Sequence, residues 1–176
     1  MKALAAVLML LPALALAQQV PEPEGYRMEA YRAPVPETLA GAQVVDADEA
    51  HGLWLSGEVA FVDVLPQPPK PDNLPEGTVW RAKPRDSIPG AVWLPNTGYG
   101  ALAEVDAQYF RDGLAAVTGG DRAHPLLIFC LAECWMSWNA AKRALAEGYA
   151  EVYWLPEGTD GWAAAGYPLE RVTPRQ

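Results

Sequence analysis

The sequence predicts an α/β fold: a mostly parallel central sheet of about five strands with helices on both faces. Three observations carry this. Runs of four apolar residues, such as Leu126-Leu127-Ile128-Phe129, read as strands buried on both sides. They alternate with helical patterns, the rhythm of strand-helix-strand units. At 176 residues, 51% apolar and 20% charged, the chain can fill a proper core.

In order along the chain, Met1-Lys2 is followed by an uncharged apolar run from Ala3 to Ala17, ending in Ala15-Leu16-Ala17. This run is shorter than the roughly 20 residues that span a bilayer, so residues 1–17 read as a secretory signal peptide and the mature protein as periplasmic, with no membrane insertion. Residues 18–41 read as an extended arm, because Pro21, Pro23, Pro34 and Pro36 exclude helix and Tyr26 and Tyr31 offer anchors. The domain proper is expected over 42–170. Its strands are placed at Gln43-Val44-Val45, Val59 to Val62, Ala91 to Leu94, Leu126 to Phe129 and Glu151 to Trp154. Helices are expected around Asp48–Leu55, Glu104–Val117 and Ser137–Glu147, the last with Ser137 as N-cap, Gly148 as its stop, and Lys142, Arg143 and Glu147 facing away from the sheet. A Pro-rich insertion occupies 65–86, and 171–176 reads as a tail.

Charge and composition exclude several functions. With 22 acidic and 13 basic residues the net charge is -9, which gives no field for nucleic acid. Two Cys and two His without ligand spacing point to no metal site, and no pattern asks for a cofactor.

The chemistry concentrates after the strand ending at Phe129. Cys130 opens the loop Leu131-Ala132-Glu133-Cys134-Trp135-Met136, which leads to the helix expected at Ser137. Backbone N–H groups there favour thiolate. Lowering a thiol pKa from about 8.5 to about 6.5 needs roughly 2.7 kcal/mol. A helix terminus gives typically about 0.3 to 1 kcal/mol, so the loop amides must add the rest. The other reading of Cys130 is a buried structural cysteine.

These residues resemble the rhodanese-like domains. Phe61-Val62-Asp63-Val64 is similar to the family's acidic strand end, Ser87-Ile88-Pro89-Gly90-Ala91-Val92 to its Ile-Pro-Gly-Ala segment, Leu126 to Cys130 to the strand presenting the nucleophile, and Gly158 to Pro168 to the closing segment. Cys134 to Arg143 and Pro156 to Trp162 resemble more finely the exported subgroup associated with PQQ-dependent catabolism and a Cys-x-x-Cys-Trp motif. The resemblance implies Cys130 as nucleophile, Asp63 and Leu131 to Ser137 as the site's surroundings, and a role beside quinoprotein alcohol oxidation, with a PQQ-dependent dehydrogenase or its cytochrome c as partner.

Departures refine this. Anchored on Ser137, Met136 falls where an Arg is usual, and Leu65 stands where many members carry an Arg after the acidic residue. Phosphatase activity and thiosulfate as donor are therefore disfavoured, unless Arg81, Lys83 or Arg85 on the long loop handles the anion. A neutral sulfur donor or a protein thiol suits the loop better. Cys134 is either a resolving partner for Cys130, since residues four apart can meet disulfide geometry in a curled loop, or an independent thiol. Trp138 reads as core, and Trp135 as a shield or a dock for a ligand. Three functions follow: sulfur transfer or persulfide carriage, thiol-disulfide exchange on a quinoprotein or cytochrome, and a silent module binding a partner.

Overall fold

The computed structural model describes residues 20–81 and 83–176, so the expected leader at 1–17 lies outside the described residues. The chain runs β1 (Gln43–Val44), α1 (Ala47–Ser56), β2 (Ala60–Asp63), β3 (Arg85–Ser87), β4 (Val92–Trp93), α2 (Glu104–Thr118), β5 (Leu126–Phe129), α3 (Trp135–Ala146), β6 (Val152–Leu155), α4 (Gly158–Ala164) and β7 (Glu170–Val172).

Five strands form one parallel sheet in the order β1-β6-β5-β2-β4, with β5 at the centre. Alternation along β5 divides the core. Leu126 and Ile128 pack with Val62, Leu94, Phe110, Trp138 and Trp154, whereas Leu127 and Phe129 pack with Phe61, Leu155 and Trp162 on the other face. Every apolar residue of β5 is thus buried, which is why the run carries no polar alternation. Helix α1 begins where Asp46 accepts from the Glu49 N–H (2.9 Å) and Glu49 accepts from the Asp46 N–H (3.0 Å), a reciprocal cap.

Three expectations are corrected. Helix α3 begins at Trp135 with Cys134 as its N-cap, so Met136 and Ser137 lie inside the first turn. Ser137 does not cap with its side chain in the expected way: its hydroxyl donates to the Cys134 carbonyl (2.9 Å) and accepts from the Trp154 indole of β6 (3.0 Å). Arg143 does not face solvent. It is buried and donates to the carbonyls of Thr97 (2.8 Å) and Tyr99 (2.8 Å), which the connection after β4 turns toward α3. Finally, residues placed in a tail are structured: β7 pairs antiparallel with β3, and the Arg175 N–H donates to Trp93 (3.0 Å). This second, two-stranded sheet clamps the exit of the Pro-rich insertion.

Candidate functional site

The site lies at the carboxyl end of the sheet, where β2, β5 and β6 deliver their loops side by side. Asp63 ends β2, fully buried, and accepts from Arg85 Nε (2.6 Å), Ser87 Oγ (2.6 Å) and the Leu65 N–H (2.9 Å). Burial pushes its carboxyl above the usual range, and Arg85, then Ser87 and Leu65, act against that. The guanidinium absent at Leu65 in sequence is therefore supplied from β3. Arg85 is itself buried and reaches past Asp63 to the Cys130 carbonyl (3.3 Å) and the Thr159 hydroxyl (3.2 Å).

Gly158 and Thr159, at the start of α4, hold the other side of the loop. The Thr159 N–H donates to the Cys130 carbonyl (3.0 Å). Gly158 sits at a φ of +52°, and a Cβ there would collide with that same carbonyl, so backbone meets backbone. Asp160 accepts from the Ala132 N–H (3.0 Å). Glu133 turns the loop in left-handed conformation, φ +50°, and is exposed.

This curl brings the cysteines together. Cys130 and Cys134 form a disulfide, with Cα atoms 6.2 Å apart, inside the range such bonds allow. Both are buried. The amides expected to face a Cys130 thiolate are partly engaged elsewhere: that of Ala132 by Asp160, that of Trp135 by the Tyr31 carbonyl (2.9 Å). A cavity of about 350 Å³ opens beside the loop, lined by Leu65, Lys83, Arg85, Leu131, Thr159 and Asp160 among others. Neither cysteine lines it, and Leu131 stands at its wall. Met136 is buried in α3, with its backbone against Gly98, so the position is closed to any incoming anion.

The arm covers the loop's remaining side. Arg32 pairs antiparallel with Cys134, flanked by Trp135 N–H to Tyr31 O (2.9 Å) and Ala33 N–H to Glu133 O (3.2 Å). The Trp135 indole donates to Pro34 O (3.0 Å) and the Trp138 indole to Thr38 O (3.2 Å). Asn139 grips the backbone of Arg27 at both its N–H (2.9 Å) and its carbonyl (2.9 Å), and Lys142 donates to the carbonyls of Pro23 (3.0 Å) and Glu24 (2.8 Å). Arg27 lies over the Trp135 ring, 5.1 Å from its centroid. Tyr26 and Tyr31 anchor the arm as expected, Tyr26 under Arg143 and Tyr31 edge-on to Tyr99. The arm covers Trp135, whose indole is held between Pro34 and Arg27.

Of the residues expected around Cys130, Leu131 borders the cavity, Ala132 to Cys134 form the curled loop, Trp135 opens α3, Asp63 is linked to the Cys130 carbonyl through Arg85, and Met136 and Ser137 are buried inside α3 and do not line the cavity. Not assigned from sequence were Arg85 as the buried partner of Asp63, Thr159 and Asp160 on α4, and Asn139 on α3. Arg85 stood among three basic residues near the end of the Pro-rich insertion, and the other three lie within the segments that resemble the family, where no role was given to them.

No family model matches the chain, and no curated protein does. Among solved structures it is similar to the thiosulfate sulfurtransferase of Pseudomonas aeruginosa, at 20% identity and a TM-score of 0.51, over 76% of this chain and 21% of that one. It is also similar to YnjE, at 18% identity and a TM-score of 0.53, over 76% of this chain and 32% of that one. The chain thus corresponds to about a fifth of the first protein's length and a third of the second's. The fold is rhodanese-like.

Proposed function

We propose that this protein handles sulfane sulfur, the zero-valent sulfur of persulfides, in the periplasm, through Cys130 and Cys134, which cycle between a dithiol and the disulfide. The observation that carries the reading is the bonded pair in the loop leaving the central strand, at the carboxyl end of the sheet where open α/β sheets hold their ligands. In the dithiol state the Cys130 thiolate attacks the outer sulfur of a persulfide, R-S-SH. The donor's S–S bond breaks, RS⁻ leaves, and Cys130 carries the persulfide. A Cys134 thiolate then attacks the inner sulfur, hydrosulfide leaves, and the disulfide forms. Two electrons pass from the cysteines to the transferred sulfur, and an external dithiol restores the reduced pair. Where an acceptor thiol takes the outer sulfur instead, the cycle needs no reductant.

Anionic substrates fit poorly. Asp160 puts a carboxylate on a loop amide that an oxyanion would need, and Arg85 is committed to Asp63. Phosphate esters are expected to be inert and thiosulfate a weak donor. The resemblance of Cys134 to Arg143 and of Pro156 to Trp162 supports placing the protein beside a PQQ-dependent dehydrogenase or its cytochrome c. The disulfide itself favours a second reading, thiol-disulfide exchange with such a partner.

Intact mass spectrometry tests both readings. After reduction and exposure to glutathione persulfide, Cys134→Ser should gain one sulfur on Cys130, and the wild type should release hydrosulfide and reform the disulfide. Cys130→Ser should hold no sulfur at the site. Absence of any gain in Cys134→Ser removes the sulfur-transfer reading and leaves exchange.

A further inference from the structure

Neither sulfur of the disulfide is exposed and neither borders the cavity, so any thiol or persulfide must first uncover the pair. The element lying on Cys134 is the arm. The hydrogen bonds that the active loop and α3 make to it end on its backbone: carbonyls of Pro23, Glu24, Tyr31, Pro34 and Thr38, and both groups of Arg27 and the N–H of Ala33. Backbone recognition of an extended segment beside a loop is how peptide grooves read their ligands, and it transfers to another extended chain. We propose that the face formed by the active loop and α3 is a peptide-binding groove, self-occupied by residues 23–38, in which an extended cysteine-bearing segment of a partner protein replaces the arm.

The register says where that cysteine would sit. The two bonds flanking Arg32 and Cys134 join their neighbours, not the pair itself, so this is a non-hydrogen-bonded antiparallel pair. Cα atoms in such a pair are about 4.5 Å apart, within disulfide range. Arg32 is exposed whereas Cys134 is buried, so position 32 links solvent to the disulfide. A partner thiolate at that position attacks Cys134 Sγ. The Cys130–Cys134 bond breaks, Cys130 leaves as thiolate, and a mixed disulfide joins partner and Cys134. A second partner thiol resolves it, so the partner is oxidised by two electrons and the pair is reduced.

This inference rests on the disulfide being a working state, and its test does not involve persulfide. Variants confined to the arm loosen it while leaving the fully buried core residues unchanged: Ala33→Pro removes the N–H given to Glu133, and Arg27→Ala removes the cation over Trp135. Each should speed dithiothreitol reduction of the disulfide about fivefold, the effect of losing one hydrogen bond or one cation–π contact of about 1 kcal/mol. In a second arm, Ala33→Pro/Cys130→Ser is mixed with a peptide of residues 23–40 carrying Arg32→Cys, activated as its thionitrobenzoate disulfide. It should label Cys134 about tenfold faster than equally activated glutathione, equivalent to about 1.4 kcal/mol of docking. Unchanged reduction rates in both arm variants, or equal labelling by peptide and glutathione, overturn the groove. Because Cys130 is absent from the labelling variant, failure of persulfide formation leaves this result untouched.

Discussion

Glu22 fixes the far end of the arm, accepting from the Thr38 hydroxyl and from the Ala40 N–H (2.9 Å). The Thr38 bond, then the Ala40 bond, holds its carboxyl below its ordinary 4.5. A depressed folded pKa means the contribution is present above the unfolded value and is lost as pH falls through the folded one. Amide exchange at Ala40, corrected for its intrinsic pH dependence, should therefore accelerate on acidification below that value and stay flat in Glu22→Gln. At Asp63 the expectation concerns burial. Asp63→Asn leaves Arg85 charged and buried with its partner gone, which should cost about 3 to 5 kcal/mol in urea denaturation. Asp63 was legible because it ends an apolar strand. Arg85 was not, because its partner lies 22 residues away across a Pro-rich segment that has no periodicity to read.

Among the elements, α3 and α4 decide the shape of the cysteine loop. Gly158→Ala forces a methyl into the Cys130 carbonyl at a left-handed φ, so it should destabilise by at least about 1 kcal/mol and shift the disulfide's reduction potential. Thermal unfolding and glutathione titration read the two effects. Trp138, Ala141 and Leu145 fall at helical spacing in the sequence, whereas nothing in it marks Trp135 as the start of α3. Cys134 is a weak capping residue by type, and the cap forms because the disulfide and Tyr31 position the turn. Arg143 eluded the pattern for a similar reason: a charged residue reads as solvated unless the carbonyls that bury it are known.

For the molecule as a whole, the five parallel strands could be read from continuous apolar runs, whereas β3 and β7 could not. Arg85-Asp86-Ser87 and Glu170-Arg171-Val172 are short and polar, and only pairing with each other makes them strands. The arm's path was equally hidden, since its prolines predict extension but not what it lies on. A crosslink spanning four residues contributes only about 2 kcal/mol by chain entropy, so reduction should leave the fold intact with a modest fall in melting temperature. Unfolding on mild reduction would make the pair structural. On the export reading, the mature protein recovered from periplasm should begin at Gln18, which N-terminal sequencing would establish.

Trp135 follows Cys134 directly in the chain and shares its core cluster, and this adjacency has an optical consequence. A disulfide accepts an electron from an excited indole at contact range and quenches its emission, while a thiol does so less. Trp135 is buried and bonded through its indole to Pro34, so its brightness should report the state of the cysteines without any added label. Emission should rise on reduction in the wild type and lose most of that rise in Trp135→Phe. A stopped-flow trace of the same signal would then time, turnover by turnover, how fast a thiol crosses from solvent to sulfur.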